Sequence, residues 1–389
     1  MLAEQVKALT SLFQELVSQS YFPSANIAVG IKSPSVEFPS VEERRKPRLE
    51  TTDSQYDEFA FSVGMRDENT PNNLDTIYDC ASLTKVIVTT TLILQLIDAG
   101  RLTLDTPVSK FLPRFRHKDV TVQDLLTHTS GLPSILEVEH DQFAAPLDAR
   151  RQRIIDRVYE ADLENLPGAV VSYSDYGFLT LGFLIEAIYG KKINDLAHEK
   201  IFAPIGMHDT YYACELTPSL ASRCAPTEFS PDLGRIIRGE AHDENTFIFG
   251  KCVGHAGVFS TVTDLAKFAQ MILNDGEFGG HRILSSEIVS QLFNPLTPAG
   301  EIKRSLGYLT FDHESPFSDT LNSEQAILHT GFTGTSILID KGKGIYIIML
   351  SNRVHPTRDN QLLVDNRKQI HHKILEIIAD ETTAPACHP

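Results

Sequence analysis

Near the start of the chain, Leu2, Val6, Leu9, Leu12, Phe13 and Leu16 recur at the spacing of one helix face. Polar residues fill the gaps, which predicts a surface helix with one buried stripe. Residues 25–33 and 58–65 change rhythm and read as strands. The polar stretch 42–54 between them reads as an exposed hairpin extension. A long apolar segment follows, "DCASLTKVIVTTTLILQ" from residue 79, and predicts a helix to about Ala99 with Gly100 as its C-cap. It is too long for a strand.

Helical patterns then dominate to about residue 225, over residues 121–131, 149–163, 175–190 and 193–206. Residues 260–276 predict another helix, with Thr261 and Asp264 spaced as a capping box. Three strand-like runs come next, at 305–311, 326–340 and 344–352, and residues 366–380 predict a last helix. Strands at both ends with helices between them predict an α+β fold: one sheet assembled from both termini, beside a helical block. The divisions are residues 1–75, 76–235 and 236–389, the middle one mainly helical with the candidate nucleophile at its start.

Composition narrows the function. Of 389 residues, 42% are hydrophobic and 22% charged, enough for a sizeable core. A net formal charge of −16 argues against a nucleic-acid-binding surface. Five scattered cysteines without a CxxC pair fit reduced thiols better than a disulfide framework or a zinc cluster. The oily run 86–97 is short for a bilayer span, and the first residues lack a basic end followed by an apolar run. The expectation is a cytoplasmic chain with no membrane or nucleic-acid partner. Composition leaves the oligomeric state open.

Within the oily segment, Ser82 stands three residues before Lys85. In a helix the two share a face, and a serine hydroxyl needs a proton acceptor before it attacks. Alone the pair is weak, since about one Ser-x-x-Lys match is expected by chance in a chain of this kind. Two further motifs give it weight. Tyr173, Ser174 and Asp175 immediately precede an apolar helix, and Tyr173 is the only tyrosine with Asn or Asp two residues on. His329, Thr330 and Gly331 lie on a predicted strand, where glycine permits close backbone approach to a ligand.

In this order the motifs resemble the serine β-lactamase and penicillin-binding-protein superfamily. The Tyr-led second motif looks like its class C branch, which includes class C β-lactamases, DD-carboxypeptidases, D-aminopeptidases and family VIII carboxylesterases. Segments such as "LLTHTSGLP", "IFAPIGMHDT" and "GHAGVFSTVTDLAKF" extend the likeness over roughly residues 20–375. The resemblance implies an antiparallel sheet flanked by helices, an all-helical lobe and a cleft between them. It also implies an acyl-enzyme on Ser82, with Lys85 and Tyr173 handling protons. The N–H groups of Ser82 and Phe332 would form the oxyanion hole, and Asp175, His329, Thr330 and Gly331 would line the substrate site. No cofactor and no metal is implied.

Two departures bear on substrate. Asp175 stands where the family pattern has Asn, and His329 where most β-lactamases have Lys. Both changes weaken attraction for a substrate carboxylate. An ionised Asp175 also favours the Lys85 ammonium and shifts proton acceptance toward Tyr173. The expectation is therefore a carboxylesterase acting on small ester or amide substrates. DD-carboxypeptidase, D-aminopeptidase, weak β-lactamase and a non-catalytic binding or sensor module are the alternatives. His242, Asp243, Glu244 and His255 lack a metal-ligand spacing and read as loop-forming residues. His371 and His372 read as surface or capping residues of the last helix, and His128 as part of a turn.

Overall fold

The computed structural model describes residues 3–32, 56–137, 145–312 and 323–379. The expected hairpin extension at 42–54 lies outside the described residues. Seven strands form the main sheet: β1 (Ser24–Lys32), β2 (Tyr56–Asp67), β3 (Thr70–Pro71), β4 (Leu309–Thr310), β5 (Ala326–Thr330), β6 (Ser336–Asp340) and β7 (Ile345–Ser351). Their order is β4-β5-β6-β7-β1-β2-β3, and every pairing is antiparallel. Strands from both chain ends meet where β1 pairs β7, with Ile27 opposite Met349 and Val29 opposite Ile347. The α+β expectation holds.

The pleat sends alternate residues to two cores. Ile27, Val29, Leu338, Ile347 and Met349 join Leu9 and Phe13 of α1 (Ala3–Ser18) on one face. The last helix packs on the same face through Ile370 and Ile374, and Gln5 Nε2 donates to Ile378 O at 3.0 Å. Ala28, Ile337, Ile339 and Ile348 point the other way, into the core shared with the helical lobe.

That second core is built around the oily segment. It opens as a 3-10 turn (Ala81–Leu83), widens into a π turn (Lys85–Thr90) and ends as α2 (Thr91–Asp98). Six consecutive residues from Val86 to Thr91 are β-branched, which crowds a regular α-turn. Thr91 Oγ1 donates to Val86 O at 3.1 Å, five residues back. The segment is long and apolar enough to cross a membrane, but the protein interior already covers most of it. Around it pack α3 (Leu147–Glu160) and α4 (Asp175–Tyr189).

Several local expectations need correction. The run 305–311 supplies only the two-residue β4, and 326–340 is two strands joined by a turn at 331–335. In α5 (Val262–Leu273), Thr261 caps as expected, accepting from Asp264 N. Asp264 does not reciprocate; its carboxylate instead accepts from Asp209 N at 2.7 Å and from Thr210 Oγ1 at 3.0 Å. His371, in α6 (Leu362–Ala379), is fully buried and not a surface residue. Its Nε2 meets Ser336 Oγ at 3.0 Å and thereby ties α6 to the sheet.

Phe13 is fully buried and packs edge-on to Phe61 with ring centroids 5.7 Å apart. Phe13→Ala should lower unfolding stability by about 3–5 kcal/mol, measured by urea denaturation. Phe13 is not among the residues that line the candidate cleft, so activity per folded molecule should be unchanged.

Candidate active site

Ser82 follows a forced bend. Ala81 has φ +47, a region that costs a non-glycine residue about 1–2 kcal/mol. The buried carboxylate of Asp79 holds the bend: one oxygen accepts from Ala81 N and the other from His242 N, both at 2.8 Å. The bend projects Ser82 into a cavity of about 530 Å³ between the sheet and the helical lobe.

Lys85, one turn on, is completely buried. Its Nζ donates to Ser82 Oγ at 3.0 Å and to His255 O at 3.2 Å, and lies 2.7 Å from Asp175 Oδ1. Burial opposes the ammonium, but Asp175 and Tyr173 outweigh it and hold Lys85 above the ordinary lysine range. Asp175 reaches this point because Ser174, accepting from Gly177 N, caps α4 and sets its entry. The Lys85 Nζ also sits 4.9 Å from the centroid of the Tyr173 ring.

The sheet side is tied to the same bend. Thr333 Oγ1 donates to Asp79 O at 2.7 Å and Thr335 Oγ1 to Cys80 O at 3.0 Å. Gly331 fits here because a Cβ would lie 2.6 Å from Cys80 O and 2.1 Å from Thr335 Oγ1. Ser82 and Phe332 both line the one cavity, and neither N–H has a protein acceptor among the described residues. Two such donors can receive a developing oxyanion. Phe332 is kept in place by Arg353, whose Nε donates to Phe332 O at 2.8 Å and whose guanidinium lies 4.5 Å from its ring.

Six of the eight residues singled out in the three motifs line the cavity, Thr330 beside His329; Lys85 reaches it through Ser82 and Asp175, and Ser174 is the cap of α4, its hydroxyl donating to Pro133 O at 2.6 Å. His329 is buried with neither ring nitrogen partnered among the described residues. Burial, with Lys85 and Arg304 nearby, pushes it well below the usual histidine range, so it is neutral. Arg304 is the residue that sequence reasoning missed. It comes from the stretch before β4, lies 5.5 Å from the Tyr173 ring and lines the cavity, with Nε and Nη1 unpartnered among the described residues. Burial lowers it to about 10, still a cation at neutral pH. No motif or local pattern marks this arginine; only the sheet edge brings it to the cleft.

The loop histidines also line the cavity. His255 Nε2 meets Asp243 Oδ1 at 2.9 Å, and His242 Nε2 meets Glu228 Oε2 at 2.8 Å. Asp175, Asp243 and His255 bring donor atoms within 4.8 Å of one another. Asp175 is already ion-paired with Lys85, and Asp243 Oδ1 also accepts from Thr246. Cys80, two residues before Ser82, is buried, its thiol held well above the usual range by burial.

A serine, a buried lysine, a tyrosine and two backbone N–H groups without a protein acceptor among the described residues thus meet at a cleft between the sheet and the helical lobe. The family profile described as Beta-lactamase matches residues 10–372, and the chain belongs to that family. A relative from Escherichia coli K12 named "Putative D-alanyl-D-alanine carboxypeptidase" is 29% identical over 311 residues, covering 74% of this chain and 71% of its own. Among solved structures, simvastatin synthase (LovD) from Aspergillus terreus matches with TM-score 0.72 and 20% identity over 98% of this chain and 100% of its own. A class C β-lactamase matches with TM-score 0.72 and 18% identity over 96% of each chain. These two share the fold. The chain is a hydrolase of the serine β-lactamase and DD-peptidase type.

Two outcomes follow from the geometry. Gly331→Ala should cut kcat at least about 10-fold with the fold retained, because the new Cβ pushes β5 away from the bend that carries Ser82; circular dichroism and steady-state kinetics check this. Glu228 is held at about 2, its burial outweighed by hydrogen bonds from His242 and Arg358. A depressed carboxyl stabilises above its unfolded value and loses that contribution as pH falls toward 2. Glu228→Gln should therefore melt lower than the parent at pH 7, with the gap closing progressively below about pH 4.5.

Proposed function

We propose that this hydrolase cleaves the amide or ester bond of a small substrate that carries a carboxylate beside the scissile group, as a peptide ending in a D-amino acid does. The carrying observation is Arg304, a buried guanidinium that lines the cleft with two nitrogens unpartnered among the described residues. The sequence-based preference for neutral esters rested on a missing lysine at His329 and an added charge at Asp175. Lys85 neutralises Asp175, and Arg304 restores a cation on the His329 side. The name of the Escherichia coli relative points the same way.

In this reading the substrate carbonyl oxygen accepts from Ser82 N and Phe332 N while Ser82 Oγ attacks the carbonyl carbon. Lys85, already an ammonium, orients Ser82 Oγ and cannot take its proton. Tyr173 relays that proton to the leaving amine or alkoxide as the bond to the leaving group breaks. Water then attacks the acyl-enzyme by the reverse relay, freeing the acid and Ser82.

A second reading, a carboxylesterase for neutral esters, is favoured by the apolar mouth of the cavity, where Ile135, Ile302, Phe332 and Val364 are exposed. The discriminating experiment compares a nitrophenyl ester, a cephalosporin and a D-alanyl-D-alanine peptide on the parent, Ser82→Ala and Arg304→Leu. Ser82→Ala should abolish turnover of all substrates. Arg304→Leu should lower kcat/KM for the carboxylate-bearing substrates about 10- to 100-fold, the loss of a charged hydrogen bond, and leave the neutral ester within about threefold. Preference for the neutral ester, with no effect of Arg304→Leu on the other two, would establish the esterase reading instead.

A further inference from the structure

The turn "THTSGLP" has no role in the chemistry above, yet its histidine is strained, buried and in contact with the proton relay. His128 has φ +59 and is 1% exposed. A histidine held there needs compensation from its surroundings.

The residues on either side of Tyr173 both donate a backbone N–H to this one residue. Ser172 N donates to His128 O at 2.9 Å, and Ser174 N donates to His128 Nδ1 at 3.0 Å. Between these bonds the imidazole stacks on the Tyr173 ring, centroids 4.4 Å apart and planes 28° apart. Phe178 backs the imidazole with ring centroids 5.1 Å away. Because Nδ1 accepts, the ring proton of the neutral form sits on Nε2, which is buried without a partner among the described residues. Burial, then Arg304, Lys85 and His329, keep the ring neutral and Nδ1 able to accept.

We propose that His128 is a positioning residue for Tyr173, clamping the backbone on either side of it and fixing the plane of its ring against the cleft. The inference rests on Tyr173 acting as the proton relay proposed above. A residue that only filled space would need neither the acceptor at Nδ1 nor the stacking.

The test is a double-mutant cycle on a nitrophenyl ester, with kcat and KM measured for His128→Phe, Tyr173→Phe and the double variant. His128→Phe keeps an aromatic ring and removes the acceptor; it should lower kcat about 10- to 100-fold, a part of the roughly 100- to 10,000-fold that a positioned acid–base group contributes, with KM within about threefold. In the Tyr173→Phe background the same change should alter kcat less than about threefold. His128→Asn restores an acceptor at the δ position and tolerates positive φ, so it should recover most of the lost kcat, whereas His128→Gln should not. The Asn and Gln variants decide the matter if His128→Phe fails to fold. Additive losses in the cycle, or Asn no better than Gln, would overturn the inference while leaving the relay intact. An unchanged kcat in Tyr173→Phe alone would overturn both the relay and the inference.

Discussion

The cleft depends on one buried ion pair. Lys85 has no exposed side-chain surface, and a lone ammonium in that position would carry a large desolvation penalty. Asp175, 2.7 Å away at the entrance of α4, compensates it, and the Ser82 hydroxyl and the His255 carbonyl accept its remaining hydrogen bonds. Removing one partner of such a pair commonly costs about 3–5 kcal/mol, because the other charge is left buried alone. The pair therefore fixes three chain segments at once: the helix carrying Ser82, the start of α4 and the loop carrying His255. It also favours the ammonium form of Lys85, whose Nζ donates to Ser82 Oγ.

The opposite wall is set by backbone proximity and not by charge. Thr333 and Thr335 bond to the carbonyls of Asp79 and Cys80, and Gly331 leaves room for that approach. These contacts tie the turn that carries Phe332 to the bend that carries Ser82. On the substrate side the cations come from elsewhere in the chain. Arg304 is brought by a sheet edge, and Arg367 of α6, also in the cavity lining, donates to Gly331 O at 3.2 Å. The cleft thus gathers arginines from separate segments, although the chain as a whole is strongly acidic.

The sequence by itself determined the long elements and the motif residues. Apolar periodicity located α1, α4 and the core strands, because each must bury one face, and Ser82, Lys85, Tyr173 and His329 stood out by local spacing. Short elements were less legible. The strand β4 has two residues, too few for a pattern, and the turn at 331–335 lay inside a run that reads as one strand despite Gly331 and Gly334. Asp264 had the spacing of a capping box, but its carboxylate was drawn away by donors from a distant loop. His371 lay on a helix whose polar neighbours suggested solvent, yet the sheet covers it.

Only the tertiary structure decided the electrostatics of the site. A charge acts through space, so the effect of Asp175 and His329 depended on partners far along the chain. Asp175 is neutralised by Lys85, 90 positions away in sequence, and the neutral His329 lies near a buried arginine from another segment. The same holds for His128, whose contact with Tyr173 joins a turn and a helix entrance 45 residues apart. Local spacing fixes which groups can do chemistry, while the charge state of those groups and the substrate they admit are fixed by what folding packs against them.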